Sequence, residues 1–544
     1  MLVVRWDILF LTIENANLKI ESLINSFEYI YIQGRTELIV ETSKSNIKMV
    51  VAGLLLAIFM SAIDNTIVAT AMGTIVSDLG GFDKFVWVTS AYMITTMAGM
   101  PIFGKLSDMY GRKRFFIFGI AVFLLGSILC GFAQSIEQLS IYRAIQGIGG
   151  GALMPIAFTI IFDIFPPENR GKMTGLLGAV FGSASVIGPL LGAYITEYAG
   201  WEWIFYINVP IGIVSFLLIT KSYHESKGKV KQKIDWWGAS TLVVAVISLM
   251  FALEMGGKDY AWNSFPIISL FTVFAVCFIA FFFIELKAEE PILPFWLFKR
   301  RLFAASQILA FLYGGTFIVL TVYIPIFVQA VYGGSATNAG LVLTPMMLGS
   351  VVGSSVGGIF STKTSYRNLM VISVISYFAG MFMLSTLTPD TARSSLTIFM
   401  IMVGFGMGFS FSLLPISSIH NLEPRFRGTA NSTNQFLRSL GMTLGITIFG
   451  TIQGNLFTSK LAENFKGMEG ATSNLSSLDP REIFNAEVRT KIPVEVLDKI
   501  VDAMSFSISH IFLFALVPIG IAVIGVIFMG KARITVTKPS IEKE

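Results

Sequence analysis

An aspartate in the middle of an apolar run is suited to one kind of chemistry, the gain and loss of a proton. Asp64 sits in such a run, within Ile63-Asp64-Asn65-Thr66-Ile67-Val68. A carboxylate inside a membrane-crossing helix is costly unless it faces a cavity, a partner or a proton. Desolvation favours the neutral form of a carboxyl group, so its protonation can alternate with conformation. A structural hydrogen-bonding role is the other reading. Arg143 carries a similar cost in another apolar run, open either to proton exchange or to structural pairing with a carbonyl or carboxylate, and Arg438 is similar in kind. Asp163, Glu197, Glu254 and Glu285 lie towards the ends of apolar runs, and the last six runs contain no acidic residue. A binder of doubly charged cations would offer several core carboxylates, so neutral, zwitterionic or singly charged lipophilic ligands fit better. Gln146, Gln307, Tyr313, Gln435 and Arg438, with the many Phe and Met, could line an adaptable cavity. Most of those aromatics are expected to face lipid or to pack.

A second group of chemistry-bearing residues lies in Gly104-Lys105-Leu106-Ser107-Asp108-Met109-Tyr110-Gly111-Arg112-Lys113-Arg114, between the second and third apolar runs. Glycine permits a tight turn, and Asp108 with the Arg and Lys run can form a charge latch at a helix end. A merely basic loop explains Arg112 but not Gly104, Asp108 and Gly111 at these positions. His224, His420 and His510 are far apart, Cys130 and Cys277 lack metal-ligand spacing, and no G-x-x-x-x-G-K-[ST] loop is present. These patterns point to no metal, cofactor, nucleotide or enzyme site. The three histidines offer no nucleophile and base set.

The elements that must position these residues are helices in lipid. The chain has 544 residues, 54% of them hydrophobic and only 13% charged, with a mean hydropathy of +0.72. So few polar side chains cannot coat a water-soluble globule of this size. Apolar runs long enough to cross a core of about 30 Å recur along the chain. The first six are expected near 49–76, 86–106, 115–133, 138–162, 172–197 and 202–220, and two more near 236–256 and 265–286. The last six are expected near 302–330, 337–360, 368–388, 394–419, 429–455 and 507–530. One set of alternate short loops carries 21 Lys and Arg, the other only Lys84, Lys258 and Arg393. The basic set is therefore expected in the cytoplasm, with both termini. The net charge of +5 belongs to that asymmetry and implies no nucleic-acid partner.

An internal duplication is also visible. An offset of 257 aligns Gly147, Gly149 and Gly151 with Gly404, Gly406 and Gly408, and Arg170-Gly171 with Arg427-Gly428; an offset near 254 aligns Gly104 with Gly358. Two six-helix halves follow, 49–220 and 302–530, with a linker over 221–301 that contributes the two inserted helices. Such halves place a substrate site between them near mid-membrane. Residues 1–48 form a cytoplasmic extension without assigned function, 531–544 a cytoplasmic tail, and 456–506 one long extracytoplasmic loop. Within that loop the amphipathic stretch 493–504 is read either as a helix lying on the outer surface or as a solvated ordered loop.

Gly104 through Arg114 resembles the signature loop of the major facilitator superfamily, with Thr362 at the Asp position of the second-half copy. Leu139 through Arg143, with Gln146, Gly147, Gly149, Gly150 and Gly151, resembles its fourth-helix motif. Gly175, Gly188, Pro189 and Gly192 resemble the fifth-helix motif of antiporters, with Ala184 and Ala193 where that motif has Gly. The Asp64 segment resembles the first-helix motif of the fourteen-span drug:proton antiporters, with Ala69 and Gly73 in place of its Asn and Pro. Trp201 through Pro210 and the segment around Arg438 are similar to the same family. The resemblance implies an all-α integral membrane protein of two six-helix bundles plus two inserted helices. It further implies a monomer in the cell membrane that exports lipophilic compounds in exchange for protons, with Asp64 and Arg143 coupling proton movement to alternating access. Export of a dedicated lipid or metabolite, and proton-driven uptake, remain open beside it.

Overall fold

The computed structural model describes residues 46–81, 84–225, 234–257, 259–334, 341–466 and 492–534. The first six membrane helices are α1 (Ile47–Leu79), α2 (Val86–Tyr110), α3 (Arg112–Cys130), α4 (Ile136–Ile164), α5 (Pro167–Tyr198) and α6 (Trp203–Ser222, interrupted at Ile207). Then come α7 (Trp236–Met255) and α8 (Phe265–Lys287). The last six are α9 (Arg301–Ala330), α10 (Thr344–Phe360), α11 (Tyr366–Leu384), α12 (Arg393–Ser418), α13 (Arg427–Asn464) and α14 (Val494–Phe528). Thirteen of these are long and apolar enough to span a bilayer, and α10 is the shorter apolar one. The total is the fourteen expected. No strand occurs among the described residues.

Local signals start several helices. Asn46 Oδ1 accepts from Met49 N (3.4 Å), Ser135 Oγ from Gln138 N (3.3 Å) and Asp235 Oδ1 from Gly238 N (2.8 Å). Gly111, at φ +110°, is the single residue separating α2 from α3. Asp108 therefore lies in the last turn of a helix and not in an open loop.

Within the first six helices α2 and α3 pack on α4, and α5 and α6 on α1. In the last six, α10 and α11 pack on α12, and α13 and α14 on α9, the same arrangement element for element. The two sets meet through α5 against α10 and α2 against α13. Lipid offers no hydrophobic drive for helices to associate, so close approach at small residues must do it. α7 and α8 pack on each other and α7 rests on α2. Ile94, Met97 and Ala98 there share one cluster with Leu242, Val246 and Met250, which Phe436 and Leu440 of α13 also touch.

The long loop is where the expectation needs correcting. α13 continues to Asn464, well past the expected end near 455, and the amphipathic stretch 493–504 is the first part of α14, not a separate surface helix or loop. Ile500 and Met504 are buried, and Asn464 Nδ2 donates to Lys499 O and Asp502 Oδ2, both at 3.0 Å. The apolar face that suggested a membrane surface turns into the bundle at Ile500 and Met504 while Val494 stays exposed, and the helix runs unbroken to Phe528. Residues 467–491 of that loop, 1–45 of the extension, 535–544 of the tail and the basic residues Lys227, Lys229, Lys231 and Lys233 of the linker lie outside the described residues.

Candidate functional site

The first bundle encloses a charge pair. Asp64 on α1 is fully buried, and its Oδ2 pairs with Arg143 Nη1 of α4 at 2.5 Å. Asp64 Oδ1 accepts from Gln146 Nε2 and Asn208 Nδ2, both at 2.8 Å, and those two amides also donate to Ser127 Oγ at 2.7 and 3.0 Å. Arg143 also donates to Gln146 Oε1 (2.6 Å) and Val88 O (3.2 Å), and its guanidinium lies 4.2 Å from the centre of the Tyr92 ring. Each charge is thus answered by its opposite and by neutral partners, the condition under which buried ions are tolerated. Side chains or backbone of five helices, α1, α2, α3, α4 and α6, join this cluster, and those of α4 and α6 bond the carboxylate itself.

Sequence reading singled out Asp64 and Arg143 and the structure joins them. Gln146, expected on a cavity wall, has its amide committed to this cluster. Asn208, Ser127 and Tyr92 were missed. Asn208 sits in the Trp201–Pro210 motif as a polar residue among apolar ones, which is the signal that could have found it. Under the duplication Arg143 and Gln146 correspond to Met400 and Val403, both buried and apolar, so the second half holds no copy of the pair.

The second constellation closes one face of the molecule, the face bearing the basic loops. Asp108, at the end of α2, caps the first turn of α13. It accepts from Gly428 N (3.0 Å), Thr429 N (2.8 Å) and Thr429 Oγ1 (3.2 Å). A carboxylate at a helix N-terminus satisfies free N–H groups and meets the positive end of the helix dipole. Arg112 Nη2 bonds Asp108 (3.2 Å) and Pro424 O (2.6 Å), while Nη1 pairs with Asp163 at the end of α4. Asp163 also pairs with Arg427 at 3.1 Å. Glu225 Oε1 accepts from Arg112 N at 2.6 Å, capping α3. Asp163 and Glu225 gave no local pattern to mark them, since their partners are distant in sequence.

The duplication is realised across this face. A Cβ on Gly104 would strike Ser432 and the carbonyl of Gly428, and a Cβ on Gly171 would strike the backbone of Gly358. These are the residues that the offsets equate, crossed between the halves. The latch itself is asymmetric. Thr362, in the place of Asp108, only donates to its own helix at Ile359 O (3.2 Å). Where Arg112 meets Asp163, the second half has Tyr366 Oη 3.3 Å from His420 Nδ1, and burial holds His420 below the ordinary histidine range.

α5 serves both constellations. Gly175 and Gly178 approach Ser354 and Ser355 of α10, while Gly188 and Gly192, flanking Pro189, leave room for Thr66 and Thr70 of α1. In the second bundle Gln307 lies beside Asn434 Nδ2 (3.3 Å), and Tyr313 bonds Ser373 Oγ (2.8 Å) while stacking on Tyr377. Gln435 and Arg438 are buried on α13. Among the described residues no group of His, Cys, Asp or Glu is placed to hold a metal.

Two pseudo-symmetric six-helix bundles, with a buried charge pair in one and a latch across one shared face, define a polytopic membrane transporter. Residues 54–446 match the family model of the Major Facilitator Superfamily, and the chain belongs to that family. It is 65% identical to multidrug resistance protein 3 of Bacillus subtilis (strain 168), covering 92% of this chain and 98% of the relative. It is 38% identical to the multidrug transporter protein MdtP of the same organism, covering 80% and 82%. Among solved structures it resembles the proton:xylose symporter XylE, with TM-score 0.55, 14% identity and 87% and 94% covered, a likeness of fold.

Proposed function

We propose that the protein exports lipophilic, drug-like compounds in exchange for protons by alternating access, without catalysis. The observation that carries this reading is Asp64, wholly buried and paired with Arg143 while the basic face is latched. Protonation of Asp64 removes the charge that holds Arg143, so the packing of the first bundle and the state of that carboxylate are one equilibrium. Protonation from outside releases substrate, and deprotonation towards the cytoplasm permits reloading. Asp108, Arg112, Gly104 and Gly111 bias the inner gate, and the fifth-helix glycines carry movement between the halves. The excess of Lys and Arg in one set of loops supports a cytoplasmic latched face and cytoplasmic termini, in a plasma-membrane protein acting as a monomer. Multidrug names among relatives support export of varied compounds over a dedicated lipid, a metabolite or uptake.

Inverted vesicles with an imposed pH gradient test the reading: substrate should accumulate only while the gradient lasts, and movement indifferent to it would overturn proton coupling. The close contact between halves adds a milder check. Gly358→Ala puts a methyl group against the backbone of Gly171, and overpacking of this kind costs about 1–3 kcal/mol. Turnover should fall several-fold. Gly454→Ala, with open space around the new methyl, should leave it unchanged.

A further inference from the structure

The second bundle holds a buried cation that no carboxylate answers. Arg438 is eleven residues beyond Arg427, the start of α13, so it stands about 16 Å along the helix, near mid-membrane. The adjacent Ser439 Oγ lies 3.9 Å from Met100 Sδ of the first bundle, so this level of α13 is at the boundary between the halves. Arg438 is 7% exposed. Its Nη1 donates to Ser410 Oγ at 3.4 Å and its Nη2 to Ser410 O at 3.1 Å, while its Nε–H has no partner. Among the described residues no acidic side chain forms an ion pair with it.

The surroundings are aromatic. The guanidinium lies 4.7 Å from the centre of the Phe411 ring, and Phe317 stands edge-on to Phe411 at 5.9 Å. Phe411 in turn faces the other half, 4.0 Å from where a side chain on Gly178 of α5 would begin. A hydroxyl, a carbonyl and a ring offset only part of the desolvation of a guanidinium. Arg143 shows the contrast, since Asp64 neutralises it. A ligand with one negative charge would supply the missing counter-charge and an acceptor for Nε–H, and an aromatic body would pack on Phe411 and Phe317.

We infer that Arg438, with Ser410, Phe411 and Phe317, forms a subsite between the bundles for the anionic group of a singly charged aromatic substrate. The inference rests on the export reading and names a substrate class for it. Arg438 fixes the charge of the cargo, while Asp64 and Arg143 handle the proton.

The test uses the full chain in inverted vesicles with two probes, the permanently anionic 2-naphthalenesulfonate and the lipophilic cation rhodamine 6G, in wild type and Arg438→Gln. Saturable binding of 2-naphthalenesulfonate to each purified protein is measured alongside. Wild type should bind and move both probes. Arg438→Gln should lose at least about ten-fold in sulfonate binding and transport yet keep rhodamine 6G transport, and Arg438→Lys should fall between them because it keeps the charge but not the planar fork. If wild type moves rhodamine 6G but does not bind the sulfonate, the subsite is wrong and the export reading stands. If neither probe moves, the export reading fails. Unchanged sulfonate binding in Arg438→Gln, or equal loss of both probes in protein of normal thermal stability, would assign Arg438 a structural role and overturn the subsite.

Discussion

Asp64→Asn should reduce gradient-driven accumulation to that of vesicles lacking the protein, while substrate equilibration without a gradient persists. The amide preserves the shape of the side chain but removes the charge opposite Arg143 and the group that titrates. Removing one partner of a buried ion pair costs about 3–5 kcal/mol, so the variant should also melt earlier. Loss of transport alone would not separate mechanism from stability. The double change of Asp64→Asn with Arg143→Gln does, because it removes both charges and leaves no uncompensated ion. Thermal stability in detergent should recover most of the loss, and gradient-driven transport should stay absent. Transport restored together with stability in the double variant would make the pair structural and remove Asp64 from the proton cycle.

How much of this arrangement could be read beforehand depends on the range of the interaction that creates it. The fourteen helices were legible because each is an apolar run, a local property. Asp64 and Arg143 were legible singly, because charge in such a run is costly wherever it points. Their mutual contact spans 79 positions and that of Asp64 with Asn208 spans 144, so only the folded bundle shows which groups share the carboxylate. Asn208 is neutral and carries no comparable penalty, so it did not stand out. The duplication revealed Gly104 with Gly358 and Gly171 with Gly428 as equivalents, but equivalence in sequence does not say that the contacts run crosswise, Gly104 to Gly428 and Gly171 to Gly358. The stretch 493–504 was misjudged because an apolar helical face looks the same whether it meets lipid headgroups or a neighbouring helix. Here the neighbour is the end of α13, which runs past the apolar stretch to Asn464 through the charged residues Lys460 and Glu463, 3.3 Å apart.

The crossed contacts also determine what the latch must do. The glycine approaches on the two sides of the basic face are matched, so packing alone gives no reason for one side to govern closure. Asp108 supplies the asymmetry, since its counterpart Thr362 reaches no further than its own helix. Asp108→Asn keeps one acceptor oxygen but loses the charge that faces the first turn of α13 and the guanidinium of Arg112. A buried charge at a helix end contributes up to about 2 kcal/mol, and charge-assisted hydrogen bonds are roughly twice as strong as neutral ones. A loss of about 2 kcal/mol moves the balance of closed and open forms some thirty-fold. Ser432 is buried against Gly104 in this closed face, so opening of the face is expected to expose it. In a background without Cys130 and Cys277, Ser432→Cys should react slowly with a membrane-impermeant maleimide offered from the basic face. Adding Asp108→Asn should raise that rate by about the same thirty-fold and slow turnover, with normal amounts of protein in the membrane. Equal labelling rates with and without Asp108→Asn would show that the glycine contacts close the face by themselves and that Asp108 has no part in gating.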